Sequence, residues 1–544
     1  MTTTAVRGRF DLVAERPLGA TMAAFATAGD PYRALFPDLY DDPAAWRRAA
    51  ERRRGHALPP GLGAALVSFH ERLGASEASR ANARALAEGT AWCVVAGQQP
   101  SPLGGPLYSL HKTHAAVALA HSLTRTLGHP VVPVFWNATE DDDFDEIASA
   151  SWAGPALEPH RLTLSRDARE AGRLVGSLPA GLAAPIWHAA RGAWAALPGS
   201  ARAARLLDTA ARAAERDGDL GDVVSALFLA AFADDGLVVV DPRLPEFRAG
   251  ARPLYARYAE RRAVVRDGVD QAGDRAETLG HARGFSPAQT EFALFAVKED
   301  HRRRLAPNEA AHALADSATA LSPGALLRPV AQDFVLPTLG LVAGPGEVAY
   351  LAQLAAAYDA LEVVPSIVVP RWTATWLPPP ALAAAEAAGV AVEDLVRDPD
   401  QALGAFFESG VPPELARDLH ALREHARATL DGLAERARDF DRSLPEFTRA
   451  TAARVDWRLG RLERGLVRKA RRRWKREHPA HLHLASYLRP SGKLQERTLA
   501  WLDPVARGGV ALEALARERA AAHAEALLAG QPLGHDVLAV AEGT

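Results

Sequence analysis

Two short apolar runs, Cys93-Val94-Val95-Ala96 and Val131-Val132-Pro133-Val134-Phe135-Trp136, restrict the fold more than any other feature of this chain. Each reads as a buried strand, because neither alternates apolar with polar residues. The first stops at Gly97 and opens into a Pro/Gly-rich loop, 100–106. A helix is predicted from Leu107 to Leu127 on the apolar positions Val117, Leu119, Leu123 and Leu127, and Gly128-His129-Pro130 ends it. Strand, loop, helix and strand in about 45 residues is the spacing of a βαβ unit. Further apolar runs at 237–241, 335–346 and 363–369 continue the alternation. The predicted fold class is therefore α/β, an open parallel sheet that binds ligands at the carboxyl ends of its strands.

The rest of the chain divides around that core. Residues 1–150 hold its first part and 221–375 its second. The alanine-rich segment 151–220 reads as a helical insertion. From 376 to 476 the sequence turns to Ala, Leu, Arg and Glu. There Leu415, Leu419, Leu422, Ala426, Thr429, Leu433 and Phe440 fall on spacings that are mainly four and three, an a/d stripe that suggests a helical hairpin or a dimerising arm. Residues 477–544 return as a separate segment ending in an alanine-rich helix.

Composition excludes several classes. Apolar residues make up 48% and charged residues 24%, enough to bury a large core. A net charge of −3 argues against binding nucleic acid along the whole chain. No apolar stretch reads as a membrane span or signal peptide, and Cys93 is the only cysteine, so no disulfide forms within the chain. These features lead us to expect a cytoplasmic protein in which Cys93 is an inert, buried thiol.

Chemistry-bearing residues cluster at the predicted strand ends. Gly97, Gln98 and Gln99 precede a helix, a setting in which backbone N–H groups can meet an anion, although the spacing is not that of a P-loop. His111 and Lys112 lie just inside that helix, where either could offset charge in a transition state; His114 is the weaker candidate. The run 140–146 holds six carboxylates, among them Glu140, Asp143 and Asp145, suited to a cation, an amine or a proton. Arg328, Gly344, Gly346, Glu347 and Tyr350 form another strand-associated group, and Arg371 follows a strand where it can grip a carboxylate or phosphate. His478, His481 and His483 lack the partners of a metal site, so no metal ligand is assigned. The basic run from Arg468 to Arg476 suits the end of a helical arm, with phosphate or RNA contact as the alternative.

The order of these motifs resembles one family, the cysteine-adding enzyme BshC of bacillithiol synthesis. The matching stretches are Val94 to Gln99, Gly105-Pro106-Leu107-Tyr108 with His111-Lys112, Pro130 to Trp136, Glu140-Asp141, and Asp143 to Glu146. They continue through Leu327-Arg328-Pro329 with Gln332, Gly344-Pro345-Gly346-Glu347, Tyr350 with Gln353, Val369-Pro370-Arg371, and Leu494-Gln495-Glu496-Arg497. Asp142 departs from the pattern, standing where the family often has histidine, and the loop after Gln99 is richer in proline.

The resemblance implies a Rossmann-like core with inserted connecting segments and an α-helical coiled-coil arm that makes a homodimer. It implies a ligase joining L-cysteine to the amine of glucosaminyl-malate; because that condensation is uphill in water, activation by ATP with Mg²⁺ is expected. Gly97, Gln98, Gln99, Tyr108, Trp136, Arg328, Gly344, Gly346, Glu347, Tyr350, Lys493, Gln495 and Arg497 are then expected to bind substrate or nucleotide. His111, Lys112, Glu140, Asp143, Asp145 and Arg371 are expected to carry the chemistry. Two other readings use the same residues differently: a nucleotidylyltransferase that releases pyrophosphate, and a scaffold without catalysis.

Overall fold

Five strands without polar alternation need cover on both faces, and they find it in one parallel sheet. In the computed structural model, which describes residues 5–165, 172–216 and 218–540, the order across the sheet is Ile367–Pro370, Thr338–Ala343, Trp92–Gln98, Val131–Asn137 and Val238–Val240. The register sets Gly97 beside Trp136, Val342 beside Ala96 and Ala343 beside Pro370, so these strands end along one edge. After Trp92–Gln98 the chain builds outward on one side, then returns to build on the other. The topological switch point therefore lies between Trp92–Gln98 and Thr338–Ala343, the place where open α/β sheets bind ligands.

The helix Leu107–Leu127 forms as its sequence predicts and ends on Gly128, whose φ of 63° is left-handed. It is buried on almost every face, so Ser109, His111, Lys112, Thr113 and His114 are inside the protein and must find polar partners there. The turn before it requires glycine: at Gly104, with φ +76°, a Cβ would fall 2.0 Å from the Trp501 indole nitrogen.

Three sequence readings change. The segment 151–220 is not wholly helical, because Ser149–Ala153 and Pro159–Thr163 pair as an antiparallel hairpin before Ala184–Trp194 and Ser200–Glu215. The run 335–346 splits, with Val335 ending the helix Arg328–Val335 and the strand beginning at Thr338. Beyond the alanine-rich helix Leu502–Leu528 comes a strand, Gly534–Ala539, paired parallel to Thr373–Leu377 and antiparallel to Ala5–Asp11. It lies between its two partners, which satisfies its backbone on both sides.

The chain divides into two units. The sheet unit comprises Met1–Pro155, Pro159–Pro378 and Lys493–Thr544; the other comprises Ala156–Glu158 and Pro379–Gly492. In the second unit Pro413–Ala437 and Leu444–Glu477 form an antiparallel helical hairpin, joined across by Arg423 to Asp456 at 2.6 Å. Only part of the expected stripe packs inside it. Leu419 and Ala426 are half-buried and Ala434 is buried, whereas Leu415, Leu422, Leu433 and Phe440 are 45%, 51%, 47% and 89% exposed. His478 and His481 stack with Trp474, at 5.0 and 5.2 Å between ring centres. No helix among the described residues is long and apolar enough to cross a membrane.

Candidate functional site

Lys112 sits across the switch point. Its ammonium, 2% exposed, donates to the Gly97 carbonyl at the end of one strand and to both Glu347 oxygens, 2.9 Å away, beyond the next. Glu347 also accepts the Gly344 N–H at 2.8 Å, which fixes the first turn of Pro345–Leu351. Gly344 is open-sided for a reason: a Cβ there would meet the Arg371 Nε at 3.3 Å. Beside this pair, Gln98 donates to Gln99 at 2.7 Å and to the Tyr108 hydroxyl at 3.2 Å. The Tyr108 ring carries the Arg371 guanidinium 5.5 Å from its centre. Burial pushes the Tyr108 phenol up to about 12, so it stays a neutral donor.

Gln99 connects this edge to the acidic run, donating to Asp141 at 3.3 Å and to Glu146. Gln99 and the acidic run therefore meet at the same strand edge. The run is not a free cluster of six negative charges. Glu140 pairs with Arg248 at 2.7 Å, Asp141 with Arg328 at 3.2 Å and Asp142 with Arg302 at 2.8 Å. Burial raises the Glu140 pKa despite Arg248 and Arg302. Burial would raise Asp141 too, but Arg328, Arg302 and two backbone N–H groups hold it below the usual carboxylate range. Asp143 caps its own short helix by accepting the Glu146 N–H at 3.2 Å, and Asp145 is exposed. Among the described residues, no group of His, Cys, Asp and Glu is arranged to hold a metal ion.

His111 is elsewhere in the network, and the expectation that it meets substrate is corrected. Its ring is 0% exposed, and Nε2 accepts the Trp376 indole N–H at 3.2 Å. Nδ1 therefore carries the proton and donates to Glu496 at 2.9 Å. Glu496 also accepts two bonds from Arg371 and one from the Thr373 hydroxyl at 2.8 Å. Burial would raise its pKa, but Arg371 and His111 hold it well below the ordinary value. The His111 pKa is lowered as well, since burial disfavours its charged form more than Glu496 favours it. The imidazole is a neutral part of the core.

The structure thus brings together Gly97, Gln98, Gln99, Tyr108, Lys112, Arg328, Gly344, Glu347 and Arg371, with Tyr350 half-buried on the same short helix as Glu347. Gly346 leaves open space around its Cα. It does not bring in the others. Trp136 is buried against Phe247, 5.2 Å between ring centres, and Glu140 is sealed on Arg248. Gln495 is spent on the backbone of Trp376, bonding its N–H and carbonyl at 2.9 and 3.0 Å. Lys493 and Arg497 are exposed, and neither side chain makes a hydrogen bond or ion pair among the described residues. The sequence reading missed Glu496, Thr373 and Glu146 as site residues, and with them the arginine partners Arg248 and Arg302. Arg371, directly after an apolar strand, calls for a carboxylate partner, but nothing local selects one among 66 acidic residues. A separate cleft of about 780 Å³ lies in the second unit, against Val411, Leu466, Lys469 and Arg473; none of the strand-edge residues lines it.

Comparison with known proteins finds one family over most of the chain. Residues 19–372 match the family model described as the N-terminal Rossmann-like domain of BshC of bacillithiol biosynthesis, and residues 374–518 match the C-terminal coiled-coil domain of BshC. A curated relative from Solibacter usitatus is 31% identical over 442 residues, covering 79% of this chain and 82% of its own. One from Koribacter versatilis is 29% identical over 466 residues, covering 82% and 85%, and one from Salinibacter ruber is 29% identical over 508 residues, covering 85% and 90%. All three bear the name "Putative cysteine ligase BshC".

Proposed function

This chain belongs to the BshC family of bacillithiol biosynthesis, and from that premise we propose that it is a ligase joining the carboxylate of L-cysteine to the amine of glucosaminyl-malate. The observation that carries the reading is Lys112, buried at the switch point and held by Gly97 and Glu347. A fixed cation at the carboxyl edge of the sheet suits an activated carboxylate, whose negative charge grows on attack. The Tyr108 hydroxyl, which accepts from Gln98, keeps its own proton to donate beside it. Arg328 spends one N–H on Asp141 and receives an anionic group of the substrate with the rest.

Condensing a carboxylate with an amine in water is uphill, so the acid must first be activated, in this reading by ATP as an acyl-adenylate or acyl-phosphate. The acidic run does not fit a protein-held Mg²⁺, because Glu140, Asp141 and Asp142 are already committed to arginines. Magnesium enters this reading only as the counter-ion of the nucleotide phosphates. The exposed apolar residues Leu415, Leu422, Leu433, Phe440 and Trp457 support a homodimer formed through the helical hairpin. The lone, buried Cys93 thiol is in keeping with a reducing cytoplasm.

The test is incubation of pure protein with cysteine, glucosaminyl-malate and ATP/Mg²⁺, read by mass spectrometry of thiols. The expected product is the cysteinyl amide, dependent on all three substrates. Folded protein that yields no amide with any nucleoside triphosphate refutes the ligase reading. Amide formed only from another activated donor refutes the role of ATP.

A further inference from the structure

Of the six carboxylates in 140–146, Glu146 is set apart by what surrounds it. Glu140, Asp141 and Asp142 each answer an arginine, Asp143 caps a helix turn, and Asp145 is exposed without a partner among the described residues. Glu146 makes no ion pair among those residues, and its one side-chain bond is from the amide of Gln99. That bond ties one of its oxygens to the loop leaving the central strand, within electrostatic range of Tyr108, Tyr350 and Arg328. A carboxylate with an uncommitted oxygen, held by a neutral amide at the strand edge, is equipped to accept a proton.

We propose that Glu146 is the catalytic base of the amide-forming step, taking the proton from the attacking sugar amine. The assignment rests on the ligase reading above. The amine nitrogen bonds to the cysteinyl carbonyl carbon, and the bond from that carbon to the phosphate oxygen breaks. Phosphate or nucleoside monophosphate leaves with the electron pair, and the proton shed by nitrogen passes to the Glu146 carboxylate. The surroundings suit the task. Glu146 is exposed like Asp145, yet the protein around it raises its pKa, repulsion from Asp141 and Asp143 adds to this, and Gln99 and Arg328 oppose it. A carboxylate raised in this way is a stronger base than an ordinary one. Of the groups that face it, Tyr108 and Tyr350 stay neutral because burial raises both phenols, and Asp141 stays ionised because Arg328 and Arg302 hold its pKa down.

The experiment compares wild type with Glu146→Gln and Glu146→Asp, each checked for an unchanged thermal midpoint. Three quantities are read: amide formation, its pH profile, and cysteine-dependent nucleotide turnover without the amine. Glu146→Gln should lower kcat for amide formation by about a hundredfold or more, with a small change in KM for the amine. It should also abolish the acid limb, on which wild-type rate rises with pH as the carboxylate ionises. Glu146→Asp should recover part of the rate and the limb. A Gln variant within threefold of wild type, or one that keeps the acid limb, overturns the assignment and leaves the ligase reading intact. Equal loss of nucleotide turnover and amide formation makes Glu146 structural and also overturns it. A folded wild type that forms no amide overturns the ligase reading, and the base with it.

Discussion

Glu496→Gln tests the buried network on which the strand edge rests. The carboxylate accepts from Arg371 Nη1 at 2.8 Å, Arg371 Nη2, His111 Nδ1 at 2.9 Å and the Thr373 hydroxyl at 2.8 Å. Three of these converge on Oε2, so a glutamine that keeps its carbonyl there keeps them. Its NH₂ then takes the place of Oε1 and confronts Arg371 Nη2, donor against donor. One charge-assisted bond is lost, and a guanidinium 3% exposed loses its ion-pair partner among the described residues. Removing one member of a buried ion pair costs about 3–5 kcal/mol, and that is the loss expected at neutral pH in urea unfolding. Arg371→Met should cost a similar amount, since Glu496 then keeps only His111 and Thr373. The double variant removes both charges, so it should be more stable than the sum of the single losses allows, by about 2 kcal/mol or more. Strictly additive losses, or a Glu496→Gln protein within about 1 kcal/mol of wild type, would refute the reasoning.

Lys112→Met removes the cation at the switch point and should lower amide-forming kcat by about a hundredfold or more; a normal rate would dismiss Lys112 as a contributor. Burial lowers the pKa of His70, His523 and His535 to about 4, so these rings stay neutral in the folded protein at pH values where the unfolded chain protonates. Each contributes stability that is whole above about pH 6.5 and falls by roughly 1.4 kcal/mol per pH unit as the pH drops toward 4. Urea midpoints at pH 7.5, 6 and 5 should decline accordingly, and a flat series would contradict that burial. Glutamates at Leu422 and Leu433, both exposed on the hairpin, should convert a homodimer to monomers in light scattering without lowering helix content; unchanged mass would place any dimer contact elsewhere.

The sequence by itself determined the elements whose information is local. The runs 93–96 and 131–136 are apolar at every position but Pro133, which already requires burial on both faces, and glycine with proline ends the helix at Leu127 whatever surrounds it. Its a/d spacing also made the helical hairpin legible. Which face of that stripe is covered was not, because Leu415, Leu422 and Leu433 differ from Leu419 only in what packs against them. The strand Gly534–Ala539 was missed because its place depends on Thr373–Leu377 and Ala5–Asp11, each more than 150 residues away. The site shows the same division. Gly97, Gln99 and Lys112 were found because they adjoin a strand end, a relation fixed within a few residues. His111 is one position from Lys112, yet successive helix residues point about 100° apart, and that angle sends one to Gly97 and Glu347 and the other to Glu496 and Trp376. The 140–146 run showed six equal carboxylates; Arg248, Arg302 and Arg328 made them unequal. A charge takes its role from its partner, and here the partners come from 108 to 385 residues away, distances over which only the folded chain decides who meets whom.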